Sequence, residues 1–550
     1  MHRVLFAIVA AIVGVMIANS AVGQVGQFRT VALSDTPAPG IASGVDYDSF
    51  SPSLFKLSVN DAGEVAYVGA LSGIGVDATN DQALFSEGGG SGAVPLARRG
   101  EQTAGLPTGL VFGDQISEPT GTVEVLLNNA GQTAGRLDIE GGAATINRAV
   151  FSDAAGGGLF KLARSRGTID GSETIPSSDL PRYVDIGRLQ FNDAGRTAFW
   201  ASINGTGING SNNQIIQSES GGSGLEPVVQ SGVPAPGAPD AHFAGFGSVI
   251  SLNNVGDLAF LANLTGSGVT PSTDWAIYSA SGPDLSLIAR AGDQAADLPT
   301  GVVYGRATPS LISIHLNDSN QLSFSSRLEG TGVLPANDEA IFRATGGAIE
   351  LIVRERSEVG GLLSGVFYDS LGIVQMNHSG DVAFNTFLRG MNVNADNHQA
   401  IFRTASGGPP MVVARTGDQA PGLADGIVYS QFTGGHHIND AGQVAFPAVL
   451  TNGSALFNGL FVTDPQGELR LLTAVGELFD VSDNPLLPDL RIVSALNAFD
   501  LSNGHVAFWA HFTDGSSGVF VTVVPEPGSG VLLLLGGSLA SSVRRPRYYW

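Results

Sequence analysis

A phrase of eight residues, Asn-x-x-Gly-x-x-Ala-Phe, recurs along this 550-residue chain and restricts its fold more than any other feature. It stands at Asn60-Gly63-Ala66-Tyr67, Asn128-Gly131-Ala134, Asn192-Gly195-Ala198-Phe199 and Asn253-Gly256-Ala259-Phe260. It continues at Asn317-Asn320-Phe324, Asn377-Gly380-Ala383-Phe384 and Asn439-Gly442-Ala445-Phe446, with a degenerate eighth copy at Asp500-Gly504-Ala507-Phe508. Successive first positions lie 68, 64, 61, 64, 60, 62 and 61 residues apart. A period of that length means stacked supersecondary units.

Within the phrase, Asn can close an Asx-type turn through its own side chain, and Gly takes a positive φ. Apolar residues alternate on both sides ("LFKLSVN", "VAYVGAL"), the period-two mark of half-buried strands. The phrase therefore reads as a hairpin turn. Asn320 stands where the fifth copy loses its Gly, and Asn is the side chain that best tolerates the left-handed region.

Two further strands follow in each unit, one around Ala-Leu-Phe (Ala83–Phe85) or Ala-Ile-Phe (Ala340–Phe342, Ala400–Phe402), the next like "LSLIARAGD" and "PMVVARTGD". Four antiparallel strands without helical periodicity describe a propeller blade. After the eighth hairpin only one strand remains, "GVFVTVV", while the N-terminal "FRTVALSDTPAPG" matches the fourth-strand pattern "MVVARTGDQAPG". The expectation is an all-β, eight-bladed β-propeller whose N-terminal strand completes the last blade and closes the ring. A seven-bladed propeller, a β-solenoid or two sandwiches are the alternatives.

The ends read differently. Residues 1–23 carry Arg3, an apolar run and small residues at Ala21 and Gly23, the order of a secretory signal peptide. Residues 24–524 hold the repeats. Residues 525–550 begin Pro525-Glu526-Pro527, continue through a short apolar run and end in Arg544, Arg545 and Arg547. This tail resembles the PEP-CTERM sorting signal of bacterial surface proteins. The resemblance implies passage through the export machinery, transient membrane anchoring by the tail alone, and cleavage by an exosortase-type protease. The body is similar to the NxxGxxAF tandem-repeat surface proteins of bacteria, which implies location and architecture more than chemistry.

Charge narrows the partners: 27 basic against 50 acidic residues repel phosphate backbones, so nucleic acid is not expected. Cysteine is absent, which removes disulfides, thiolate nucleophiles and Cys-ligated metals. The repeated Arg-x-x-acid set (Arg98/Glu101, Arg290/Asp293, Arg415/Asp418) reads as strand-end ion pairs. Asn- and Asp-rich loops such as 392–400 and 334–340 read as turns, lacking the ordered spacing of a calcium loop.

Residues that break the repeat are the better site candidates: His315, His378, and the pair His436-His437 in "GGHHIND". A ligand-binding role for them is set against exposed loop histidines, and the adjacent pair should point to opposite strand faces. Neither a metal site, a cofactor motif nor a catalytic residue is marked. The sequence thus points to an exported cell-surface or extracellular-matrix protein, binding or structural rather than enzymatic, directed to polysaccharide or surface protein. A secreted propeller glycan hydrolase or lyase is the alternative.

Overall fold

In a computed structural model, the described residues are 28–523 apart from positions 49, 51–56, 103–104, 116–122, 142–147, 168–180, 223, 306–312, 406, 434 and 485. The expected signal peptide and the expected sorting residues Pro525, Glu526, Pro527, Arg544 and Arg545 lie outside them.

Each repeat folds as one antiparallel sheet of four strand positions. Blade 4 shows the plan: Ala241–Leu252, Leu258–Gly266, Trp275–Ser281 and Asp284–Arg290 pair in sequence order. In blades 1, 2, 5 and 7 the innermost strand is broken into two pieces that pair with the same second strand. Eight such sheets run around the ring at residues 45–98, 111–164, 182–230, 241–290, 302–354, 366–415, 428–474 and 490–523. The last has three long strands of its own from Leu490–Ser502 onward, with the short Leu478–Asp480 paired to the first of them, and Phe28–Leu33 pairs antiparallel with Ser517–Val523 in the fourth-strand position. The expected eight-bladed, N-terminally closed propeller is therefore the fold, and the seven-bladed and solenoid alternatives fall.

The closing strand mimics the others in detail. In blades 1 to 7 the register slips by one residue between the third and fourth strands. The N-terminal strand slips likewise at Val31. Such a bulge kinks an exposed outer strand and blunts its unpaired edge. A latch joins this strand to blade 1: Arg29 Nη1 and Nη2 donate to the two Glu87 oxygens at 2.6 and 2.8 Å.

Between the strands, the repeated aromatics stack. Phe260 lies on Tyr278, Phe324 on Phe342 and Phe384 on Phe402, with ring centroids 5.3–5.9 Å apart. Tyr304 and Tyr368, from the innermost strands, meet Phe342 and Phe402 edge-on at 5.2 Å. Each ring buried this way contributes about 2–3 kcal/mol by area. The motif Ala beside them is fully buried in blades 1 to 4 and 6 to 8, where a larger side chain would force neighbouring blades apart.

The hairpin glycines meet two demands. Gly442 has φ +74°, and a Cβ there would collide with the Arg403 guanidinium of the preceding blade. Asn320, the one substitute, is itself left-handed at φ 56°. In the eighth copy the structural counterpart of the motif Asn is Ser502, two residues beyond the Asp500 that the spacing suggested, since Asn439 reaches the Ser502 carbonyl.

One expectation is corrected. The Arg-x-x-acid sets form no ion pairs; Arg98, Arg290 and Arg415 turn Nε instead onto the carbonyls of Asn80, Thr273 and Asn397 in the loop between the second and third strands. A guanidinium N–H there satisfies a loop carbonyl that has no strand partner.

Candidate functional site

All eight motif turns lie at one end of the ring, around its axis. The turn chemistry is as the sequence suggests: Asn60 Oδ1 accepts from the backbone N–H groups of Ala62 and Glu64 at 3.1 and 3.0 Å. The amide end of the same side chain does something local reasoning missed. Asn60 Nδ2 donates to the Asn128 carbonyl in the next blade, Asn128 to Asn192, Asn192 to Asn253, and Asn253 to Asn317, at 2.8–3.1 Å. Asn317 reaches the His378 carbonyl, Asn377 that of Asn439, and Asn439 that of Ser502. The Ser502 hydroxyl returns to Asp61, so the belt closes on itself. Every one of the seven asparagines is buried.

A second ring lies directly above, made by the residue after each Asn. In blade order it reads Asp61, Asn129, Asp193, Asn254, Asp318, His378, Asp440, Asn503. Carboxylates alternate with side chains that carry N–H donors all the way round. Each carboxylate accepts the backbone N–H of the preceding blade: Asn129 to Asp193, Asn254 to Asp318, His378 to Asp440, Asn503 to Asp61, at 2.6–3.0 Å. The carboxamides fill in between, with Asn254 Nδ2 touching both Asp193 and Asp318 at 3.0 and 3.1 Å.

His378 departs from the pattern. Its Nδ1 lies 2.8 Å from Asp440 Oδ2 and its Nε2 3.6 Å from Asp318 Oδ2. The hydrogen bond to Asp440, with the further charges of Asp440, Asp318 and Asp193, raises its pKa to about 9 against the opposing pull of burial. The imidazole is therefore a cation at neutral pH, and the mouth carries four carboxylates against one positive charge. Burial works to raise the Asp440 carboxyl, but the His378 contacts bring it below the usual range.

These rings frame an axial pocket of about 300 Å³. Below the polar rim sits an apolar collar of one side chain per blade: Val59, Leu127, Phe191, Leu252, Leu316, Met376, Ile438 and Leu501. The strand alternation that buries each motif Asn puts its predecessor on the collar.

Of the four candidate histidines, only His378 lines this pocket. The other three are not the exposed loop residues anticipated as their bland reading: His315 and His437 sit on innermost strands and His436 immediately before one, deeper in the channel wall. His436 is 2% exposed, and burial lowers its pKa to about 4. Burial lowers His315 to about 4 as well. The adjacent pair does split as strand geometry requires. His436 bonds to backbone at Ala383 of blade 6, while His437 Nδ1 lies 3.2 Å from Asp500 Oδ1 in blade 8. His315, His436 and His437 are near enough to influence one another electrostatically, yet do not converge on one point. Among the described residues no group of three or more His, Asp or Glu side chains is arranged to hold a metal ion. The residues missed were Asp61, Asn129, Asp193, Asn254, Asp318, Asp440 and Asn503, although their alternation was readable one position after each motif Asn.

The molecule is thus a closed eight-bladed β-propeller with a hydrogen-bonded axial mouth. It belongs to a protein family of unknown function, DUF7453, whose model matches residues 18–342 and again 301–531. No curated protein matches it. Solved structures with similar architecture include the β-propeller domain of the Trilobed protease from Pyrococcus furiosus (9% identity, TM-score 0.37, 77% of this chain and 98% of that one). Polysaccharide lyase Uly1 (9%, TM-score 0.32, 91% and 100%) and a puromycin hydrolase (10%, TM-score 0.31, 75% and 52%) are others. At this distance the likeness is one of fold alone.

Proposed function

We propose that this protein is an exported, non-catalytic binding propeller that takes a polyhydroxylated ligand, the end of a surface or matrix polysaccharide, at its axial mouth. The observation that carries the reading is the alternating ring of carboxylates and carboxamides above an apolar collar. Carboxylate and carboxamide groups meet paired hydroxyls with paired lone pairs or donors, and an apolar floor suits the C–H face of a sugar ring. The ring atoms are already fixed by blade-to-blade bonds, so little order is lost on binding. Export and surface retention, with an exosortase-type protease as a maturation partner, rest on the sequence of the two ends.

The test is calorimetry of the mature chain against neutral and acidic polysaccharides, with a D61N/D193N double variant. That variant keeps the ring's shape and removes two charge-assisted acceptors, so affinity should fall about tenfold or more. A chain that ignores the whole panel, or a double variant that binds as well as the wild type, removes the reading.

A further inference from the structure

Glu339 and Glu355 break the repeat at a place far from the mouth, on the seam between blades 5 and 6. No other blade has an acid at either place: blades 1 and 2 hold one arginine each there, Arg99 and Arg148, and the remaining pairs are neutral. In blade 3, Gln214 Oε1 accepts the Phe246 N–H of the next blade at 2.7 Å, and its own N–H donates to Ser231 Oγ on the neighbouring strand. Blade 6 repeats this with Gln399, Phe432 and Thr416 at 2.9 and 3.0 Å. In blade 5 both partners are acids. Glu339 Oε2 accepts the Leu371 N–H of blade 6 at 2.8 Å, in the role of Gln214 and Gln399. Glu355, opposite it, replaces Ser231 and Thr416, and its Oε2 accepts the Asp338 N–H at 3.0 Å.

The two acids are direct cross-strand neighbours, since Glu355 N–H donates to the Glu339 carbonyl at 2.9 Å. They are 9% and 5% exposed. The charges that face them do not neutralise both. On the second strand, Arg327 pairs with Asp338 and reaches Glu339 at only 3.4 Å. Arg354, beside Glu355 on the fourth strand, turns its Nε to the Asn337 carbonyl. From blade 6, Asp369 adds a further negative charge and is itself paired with Arg389 at 2.9 Å. Two buried carboxylates, Asp338 and Asp369 thus meet three guanidiniums, two of them already engaged with other acids.

We propose that Glu339 and Glu355 form a proton-dependent clasp on the seam between blades 5 and 6, closed while the pair holds a proton and loosened when both carboxyls ionise. Like charges this close in a buried place cannot both ionise without cost. Burial first, then the charge of Glu339, pushes the Glu355 carboxyl up to about 7, and burial raises Glu339 as well. The linkage has one sign. A carboxyl held protonated in the fold but ionised when released, near 4.5, makes the fold bind more protons than the open state. Seam stability is therefore greatest below about 4.5, falls as pH rises to about 7, and is level above that.

The experiment is hydrogen exchange by mass spectrometry on the full chain between pH 5 and 8, corrected for intrinsic rates. Segments 339–355 and 366–376 are compared with their blade 3 and 4 counterparts, 214–231 and 241–252. Protection at the blade 5–6 seam should fall at least about tenfold over this range relative to the blade 3–4 seam, and E355T should remove the difference. Parallel profiles in the wild type overturn the proposal, as does an E355T variant that keeps the slope. Should E355T fail to fold, the wild-type comparison together with E339Q decides.

Discussion

Replacing Asn192 by Ala tests whether the asparagine belt holds the ring or merely shapes each turn. The side chain makes two kinds of bond. Its Oδ1 accepts the Arg196 N–H at 2.9 Å, inside its own turn. Its Nδ2 donates to the Asn253 carbonyl of the next blade at 2.8 Å, where both groups are buried. Asn192→Ala leaves the Arg196 N–H without its partner, at about 1–3 kcal/mol, and takes one of two donors from the Asn253 carbonyl, which keeps the Gly256 N–H, at about 0.5–1.5 kcal/mol, so the expected loss is about 3 kcal/mol. With an unfolding entropy near 2.1 cal/mol/K per residue over about 500 residues, that lowers Tm by about 3 °C.

Asn192→Asp separates the two roles. It keeps the acceptor of the turn but turns a carboxylate onto the Asn253 carbonyl. If the belt matters, Asp is as damaging as Ala at pH 7 and recovers as acid restores an O–H donor. Urea unfolding followed by tryptophan emission reads both variants, because Trp200 lies on the strand after this turn and Trp509 in blade 8. An Asp variant as stable as the wild type, or an Ala variant within about 0.5 kcal/mol of it, refutes the belt.

Arg29→Met should cost about 1–2 kcal/mol, held down because Arg29 is half exposed, and should speed hydrogen exchange in Phe28–Leu33 and Ser517–Val523 ahead of every other blade. Gly442→Ala and Gly504→Ala share a positive φ, +74° and +71°, but only Gly442 faces a neighbouring guanidinium. Gly504→Ala should therefore show backbone strain alone, about 1–2 kcal/mol by chemical denaturation, and Gly442→Ala visibly more. His378 should titrate near 9 by NMR. Its raised pKa adds stability that is complete below about 6.5 and disappears as pH rises through 9, and His378→Asn should flatten that part of the stability profile.

The fold was legible because its repeat is dictated by backbone needs that leave marks in sequence. Gly63, Gly195 and Gly442 mark left-handed turns, the Ala-Phe pair marks a packed strand, and the unmatched N-terminal strand announces ring closure. The eighth copy was misplaced by two residues because Ser502 cannot do what Asn does with its amide, so the letter disappears while the turn remains. The site was less legible. A histidine stands out in a repeat by being rare, and rarity drew attention to His315, His436 and His437, which turn out to be wall residues, the first two with basicity depressed by burial. Asp61, Asn129 and Asp193 are common turn residues, and nothing local distinguishes a turn aspartate from one aimed at a neighbour 64 residues away. The Arg-x-x-acid sets misled for a related reason: spacing along the chain fixes proximity but not which of several nearby acceptors a guanidinium prefers.

The alternation at the mouth also bears on why the ring has the number of blades it has. Each carboxylate there takes a backbone N–H from one side and a side-chain donor from between its neighbours. Two acids in succession would leave like charges adjacent with no donor between them, whereas two carboxamides in succession could still pair N–H to C=O. A strict alternation of two kinds of residue closes on itself only around an even number of positions. Seven blades would force two neighbours of one kind, whereas eight allow strict alternation, and the ring from Asp61 to Asn503 keeps it. His378 fits this rule because it is charged: its Nδ1 donates to Asp440 at 2.8 Å, and its Nε2 sets positive charge 3.6 Å from Asp318. A neutral imidazole would keep the first contact and lose the charge in the second. The same contacts that raise its basicity are thus the ones that let a histidine stand in a position otherwise held by asparagine.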